Sequence, residues 1–279
     1  MTGVGDVTVW LEGRVLPGSQ ARVSALDTGF TLGDGAFETV RVQDGVPLAL
    51  TRHLSRLAAS AAQLGIPAPG PRVVRAGVAE LLAAAPGAPA QRLRITVTGG
   101  PGPLGPSRAD GPATLVLAVA PLGPLPADVG VVRLPWVRNE RSALAGVKAV
   151  SYAENAQILA EARRHGADEA LLANTRGELC EGAAANVFVL LGGRLVTPPL
   201  SSGCLPGVTR ALVLEATGAV EAPVPYAALD EVEEAFLTSS IRRVASVARI
   251  DGRLLLAPRR RTRDAAAALA ALLAADPDP

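Results

Sequence analysis

Lys148, in the stretch LAGVKAVSYAENAQ, is the one lysine among 279 residues; every other position in the Lys-plus-Arg total is arginine. A guanidinium keeps its proton and cannot act as an amine nucleophile. A lysine amine can lose its proton and form a Schiff base with an aldehyde. A lysine retained where arginine serves everywhere else is a candidate for imine chemistry. An Ala-, Gly-, Pro- and Arg-rich chain could also keep one lysine by chance, so its companions must decide.

Imine chemistry on an aldehyde cofactor with a ring nitrogen and a phosphate, such as pyridoxal 5′-phosphate (PLP), needs a carboxylate for the ring. It also needs backbone N–H groups and a cation for the phosphate. In ELCEGAAANVF, Glu181 stands among small residues beside a strand, where a flat ring could lie close to the backbone; a solvated hairpin end is the plain alternative. LPGVTRALVLE places Gly207, Val208 and Thr209 at a helix start after Pro206, and FLTSSIRRV ends a strand on Thr238, Ser239 and Ser240. Arg52 and Arg56 are spaced i, i+4, so one helix face offers two cations. GPGPLG (residues 100–105) satisfies the dinucleotide-binding pattern, but PSRADG and a strand follow it where that site needs a helix. It reads instead as a glycine-rich loop.

These residues must be positioned by a chain with a net charge of +1 and ample apolar content for a core. Its scattered basic residues argue against a nucleic-acid or membrane-surface partner. Cys180 and Cys204 make no disulfide framework or zinc spacing, and no metal site is expected. No stretch reads as a secretion signal or membrane span, so a cytoplasmic location is expected.

Glu12-Gly13 and Asp44-Gly45 sit between short apolar runs and predict two hairpins. Leu54, Leu57, Ala58, Ala61 and Leu64 predict a helix stopped by Gly65, and a second helix covers PRVVRAGVAELLAAA. RLRITVT and ATLVLAVA read as strands. PLGPLPADVG predicts a linker over 121–130, between domains at 1–120 and 131–279. Beyond it, Ser151 and Glu154 suggest a capping box for YAENAQILAEARRH. EALLANTRGELCEG and NVFVLLGGRLVTPP read as hairpins, GVTRALVLEATG as a helix, EAFLTSS as a strand, and RDAAAALAALLAA as a terminal helix. Strands and helices mix without regular alternation, which predicts an α+β fold. His53 is expected on a helix surface, His165 at a helix end, and Cys180 as a small packed residue.

In order, DTGFTLGDGAFETVR, HLSRL, GVKAVSY, DEALLANTRGELCEGAAANVF, TPPLSSGCLPGVTR and EEAFLTSSIRRV resemble the class IV PLP-dependent aminotransferases of fold type IV, over nearly the whole chain. That group includes branched-chain and D-amino acid aminotransferases and 4-amino-4-deoxychorismate lyases. The resemblance implies a smaller N-terminal α/β domain, a larger C-terminal PLP-binding domain, and a homodimer with sites near the interface. It implies that Lys148 is the Schiff-base and proton-transfer lysine and that Glu181 faces the pyridine nitrogen. Arg56, Val208, Thr209, Ser240 and Ile241 would contact the phosphate, leaving Arg52 at the surface, and Tyr152 would sit by the phenolic oxygen. Leu32, Phe37, Leu104 and Arg242 would line the substrate pocket.

These motifs are shared by two reactions on an amine substrate. GDGAFET is similar to lyases and D-amino acid enzymes and Leu32 stands where branched-chain enzymes carry a tyrosine, whereas Tyr152 is similar to aminotransferases. The reading from sequence is a 4-amino-4-deoxychorismate lyase releasing pyruvate and 4-aminobenzoate. The alternative is an amino acid aminotransferase of branched-chain or D-amino acid type, with dual activity a further possibility.

Overall fold

In a computed structural model, residues 7–107 and 111–279 are described. The chain forms two compact units. The first takes the chain through Pro124 together with Val147–Tyr152 and Pro277–Pro279; the second takes Leu125–Gly146 and Ala153–Asp276.

The first unit contains β1 (Thr8–Leu11), β2 (Arg14–Pro17), α1 (Thr28–Thr31), β3 (Gly35–Gln43), β4 (Val46–Pro47), α2 (Leu50–Leu64), α3 (Pro71–Ala84), β5 (Ala90–Thr98) and β6 (Thr114–Pro121). Its antiparallel sheet runs β2-β1-β6-β5-β3-β4. The two expected hairpins form, and both turn residues of each take positive φ: 50° and 77° at Glu12-Gly13, 50° and 82° at Asp44-Gly45. That double left-handed step matches the twist of the flanking strands. Leu50, Leu54, Leu57 and Ala61 of α2, with Val74, Val78 and Leu81 of α3, pack on Val40, Val42, Leu93, Ile95 and Leu117 of the sheet. Leu81, Leu93, Ile95 and Leu117 are wholly buried, and burial of this kind stabilises by about 1.5–3 kcal/mol per side chain. This core fixes β3 and α2.

The second unit contains β7 (Asp128–Arg138), α4 (Ala153–Arg164), β8 (Glu169–Asn174), β9 (Leu179–Gly182), β10 (Asn186–Leu191), β11 (Arg194–Thr197), α5 (Val208–Thr217), β12 (Val220–Glu221), β13 (Glu234–Ser239), β14 (Arg243–Ile250), β15 (Arg253–Leu254) and α6 (Arg260–Ala275). Its sheet runs β12-β11-β10-β13-β14-β7-β8-β9, with β15 on β14. Parallel pairs (β7 with β8 and β14, β11 with β12) join antiparallel ones, so the protein is α+β. Phe188 and Phe236, opposite each other in register, stack at 4.8 Å within its core.

Three features differ from the sequence reading. Strand β7 already begins at Asp128, inside the expected linker, because Gly130 N–H bonds the Asp168 carboxylate at 2.8 Å and the strand pairs with β8 and β14. The segment Val147–Tyr152 packs with the first unit although it lies beyond residue 131. Glu154 forms no capping box with Ser151, because Arg138 holds its carboxylate at 3.0 Å. Among the described residues no helix is long and apolar enough to cross a membrane.

Candidate active site

In the first unit the Lys148 segment lies along the start of β3. Phe37 N–H donates to the Lys148 carbonyl at 2.9 Å, Val150 N–H donates to the Gly35 carbonyl at 2.7 Å, and Ala36 bridges Ala149. Ser60 Oγ accepts the Lys148 N–H at 3.3 Å. The glycines of LGDG permit this approach. A Cβ on Gly33, whose φ is +69°, would stand 2.8 Å from Ser151 Cβ, and one on Gly35 would stand 2.7 Å from the Val97 carbonyl oxygen.

Alternation along β3 sends Phe37 to one face of the sheet and Glu38 to the other. On the first face, Lys148 Nζ lies 4.5 Å from the Phe37 ring centroid and 5.9 Å from that of Tyr152. Tyr152 meets Phe37 edge-on at 5.3 Å. Arg94 of β5 lies 3.7 Å over the same Phe37 ring, and its Nε donates to Thr96 Oγ1 at 3.2 Å. Burial lowers the Arg94 pKa, with an opposing effect of Tyr152, and no carboxylate among the described residues pairs with it. The cluster therefore presents an amine, a phenol and a guanidinium around one aromatic ring.

On the other face, Glu38 is wholly buried and faces α2. Arg56 grips it by two 2.7 Å bonds, Nε to Oε1 and Nη2 to Oε2, and His53 Nδ1 lies 2.7 Å from Oε2. Burial alone would raise the Glu38 pKa, but Arg56 and His53 hold it down at about 2. Burial lowers the His53 pKa against the pull of Glu38, which leaves the ring neutral at neutral pH. His53 is thus a core residue and not the expected surface one: it falls on the apolar face between Leu50 and Leu57, where periodicity could have placed it. Arg52 bonds the Pro279 carbonyl at 2.8 Å.

In the second unit, Glu181 lies in β9, one residue before its end, and is largely buried. Its Oε2 accepts the Leu205 N–H at 2.9 Å, and Arg138 Nε lies 3.3 Å from Oε1. That approach is an ion pair without hydrogen-bond alignment, since Arg138 Nε is a buried donor lacking a hydrogen bond. Glu181 is therefore no solvated hairpin end. Helix α5 begins at Val208 and Thr209 after N-cap Gly207, with no side chain capping it. A Cβ on Gly207 would stand 1.9 Å from Asn186 Oδ1, and Asn186 is itself fixed by the Leu205 carbonyl at 2.9 Å. Thr238, opposite Asn186 in register, has a buried hydroxyl with no partner. Ser240 and Ile241 lie in the turn between β13 and β14, where Arg242 N–H bonds Ser239 Oγ at 3.2 Å.

Of the expected pocket residues, Phe37 is buried at the centre of the lysine cluster, while Leu32 and Leu104 are exposed. Arg242 is not an open carboxylate receptor: its Nη1 pairs with the wholly buried Glu169 at 3.1 Å. Cys180 is buried, and burial pushes its thiol pKa far up, with Glu181 adding to it. Among the described residues no cluster suits a metal ion.

Residues 35–250 match the family model for amino-transferase class IV. The chain belongs to the class IV aminotransferase family. A putative branched-chain-amino-acid aminotransferase of Methanocaldococcus jannaschii is 32% identical, covering 88% of this chain and 89% of its own. A bifunctional aminodeoxychorismate lyase / D-amino acid transaminase of Mycobacterium tuberculosis is 29% identical over 89% and 93% of the two chains. Among solved structures, the fold IV-transaminase CpuTA1 of Curtobacterium pusillum superposes with a TM-score of 0.85 at 29% identity, over 97% and 99%. This class IV aminotransferase-family protein is a PLP-dependent enzyme of fold type IV.

The residues present fit that cofactor. Lys148 would offer an amine and Glu181 a fixed carboxylate, while an uncapped helix start, with no room for a Cβ at Gly207 and the orphan Thr238 hydroxyl in the same unit, would suit an anion. Sequence reasoning missed Arg94, Glu38 and Arg138. Alternation of buried and polar positions in RLRIT signals Arg94's face, but nothing local to Arg138 reveals its partner at 181.

Proposed function

We propose that the enzyme is an amino acid aminotransferase of the branched-chain type, acting on an apolar amino acid and a 2-oxo acid. The observation that carries this reading is the Lys148–Tyr152–Phe37–Arg94 cluster: a reacting amine and a cation without a carboxylate partner share one apolar ring. The M. jannaschii relative points the same way. Together they favour the aminotransferase over the lyase that the motifs first suggested.

When bound, PLP supplies an electron sink that makes the proton on the amino acid's α-carbon removable. Lys148 would hold the cofactor by its aldehyde, and its amine, once freed, would serve as the base for that proton. Such a positioned base contributes about 10²–10⁴ in rate. Glu181 would keep the ring nitrogen protonated, and the Leu205 N–H holds Glu181 in place. Tyr152 would stand at the cofactor's phenolic side. Val208, Thr209, Ser240 and Ile241, and Arg56, are the residues that would contact the phosphate. Arg94 receives the substrate carboxylate, and Phe37 gives its guanidinium an aromatic backing. Exposed Phe30, Leu32 and Leu104 on the first unit are suited to burial in a homodimer.

The test is the absorbance of the PLP-loaded enzyme mixed with single donors. L-leucine and L-valine are expected to bleach the imine band and yield the 2-oxo acids, and Arg94→Gln should raise the donor KM about tenfold or more. Bleaching by D-alanine alone would reassign the enzyme to the D-amino acid type. The bifunctional relative keeps the lyase as a second reading: an enzyme unchanged by every amino acid but forming 4-aminobenzoate from aminodeoxychorismate would establish it.

A further inference from the structure

Arg56 sits in an unusual electrostatic setting for an anion receptor. Both bonds from Glu38 fall on one edge of its guanidinium, Nε to Oε1 and Nη2 to Oε2, each 2.7 Å. A bidentate contact of this kind fixes the guanidinium plane as well as its position. Glu38 is itself immobile. It lies within β3, opposite Ile95 of β5 in register, and its Oε2 also meets His53 Nδ1 at 2.7 Å. His53 and Arg56 are three residues apart on α2, so a single helix face delivers both partners to one carboxylate. The carboxylate cancels the arginine's charge and the imidazole is neutral, so the cluster carries almost no net charge. What it retains is direction: by taking the Nε–Nη2 edge, Glu38 fixes the plane and heading of the guanidinium.

We propose that Glu38 and His53 are positioning residues that orient Arg56 toward the cofactor's phosphate, so that selectivity for phosphorylated over unphosphorylated cofactor depends on two buried side chains that never touch it. The inference rests on the reading of Arg56 as a phosphate contact and goes beyond it. A role in stability alone would lower the melting temperature without changing the preference for a phosphate. A positioning role changes the preference itself.

The experiment compares binding of PLP and of pyridoxal, which lacks the phosphate, by the apoenzyme, titrated through the absorbance of the bound aldehyde. Arg56→Gln is expected to weaken PLP binding by about 30-fold or more while changing pyridoxal binding less than about 3-fold. Glu38→Gln should reproduce at least a ~10-fold loss of that preference. The double variant Glu38→Gln/Arg56→Gln should lose no more than Arg56→Gln alone, since the two act through one contact. His53→Phe keeps the buried ring and removes the Nδ1 contact; it should lower the preference by about 3-fold, and it carries the test if Glu38→Gln does not fold. If Arg56→Gln loses the preference but Glu38→Gln, or in its absence His53→Phe, retains it, the positioning role is overturned and the phosphate contact stands. If Arg56→Gln retains the preference, the phosphate reading fails and the positioning role with it.

Discussion

At the scale of single residues, the site is governed by where charge is buried and what neutralises it. Glu38 is an ionised carboxylate with no solvent, stable only because Arg56 and His53 surround it. Its folded pKa of about 2 lies below the ordinary 4.5, so its contribution is complete above pH 4.5 and is lost as pH falls toward 2. His53 has a folded pKa below 6.5 because of burial. The unfolded chain therefore takes up a proton first, and stability declines as pH drops below 6.5. Thermal melting between pH 7 and 3 should show both regimes, with His53→Phe flattening the part between pH 6.5 and 4.5. A His53→Phe profile parallel to wild type there would contradict the neutral imidazole. Lys148 stands out in the sequence as a candidate because an arginine cannot replace its amine, and Glu181 because its neighbours are small. Arg138 does not, since a partner across a sheet leaves no local trace, and for Arg94 strand alternation shows only the face it takes.

At the scale of elements, the positions that matter are where strands end and helices begin. Helix α5 has no side-chain cap, and Gly207 brings its first turn against Asn186, which the Leu205 carbonyl holds. Gly207→Ala would drive a methyl into the Asn186 amide. The expected result is loss of at least ~1–3 kcal/mol of stability together with weakened PLP binding, read by melting and by cofactor titration. An unchanged variant would show that this approach is not needed. The hairpins and α2, α3 and α5 were readable from turn residues and 3.6-residue periodicity. Strand β7 was not, because its start lies in a Gly/Pro-rich run that reads as a linker, and parallel pairing with β8 and β14 is set by distant residues. Likewise the capping box suggested by Ser151 and Glu154 yields to Arg138.

At the scale of the whole molecule, sequence order and spatial grouping part company at the key position. Lys148 and Tyr152 lie beyond residue 131, yet their segment belongs to the first unit, where β3 pairs with it and the glycines at 33 and 35 make room. A division read from composition cannot show this, because a six-residue visit to the other unit changes no composition. The same unit receives Pro277–Pro279, whose Asp278 carboxylate accepts the Thr51 N–H at the start of α2. The central claim is that Lys148 holds the cofactor, and a chain with a single lysine makes it directly testable. Borohydride reduction of the PLP-loaded enzyme, followed by tryptic digestion and mass spectrometry, should place the reduced pyridoxyl phosphate on Lys148 within the peptide Ser142–Arg163. Recovery of the unlabelled tryptic peptides Ser142–Lys148 and Ala149–Arg163 from fully loaded, reduced enzyme would contradict the account.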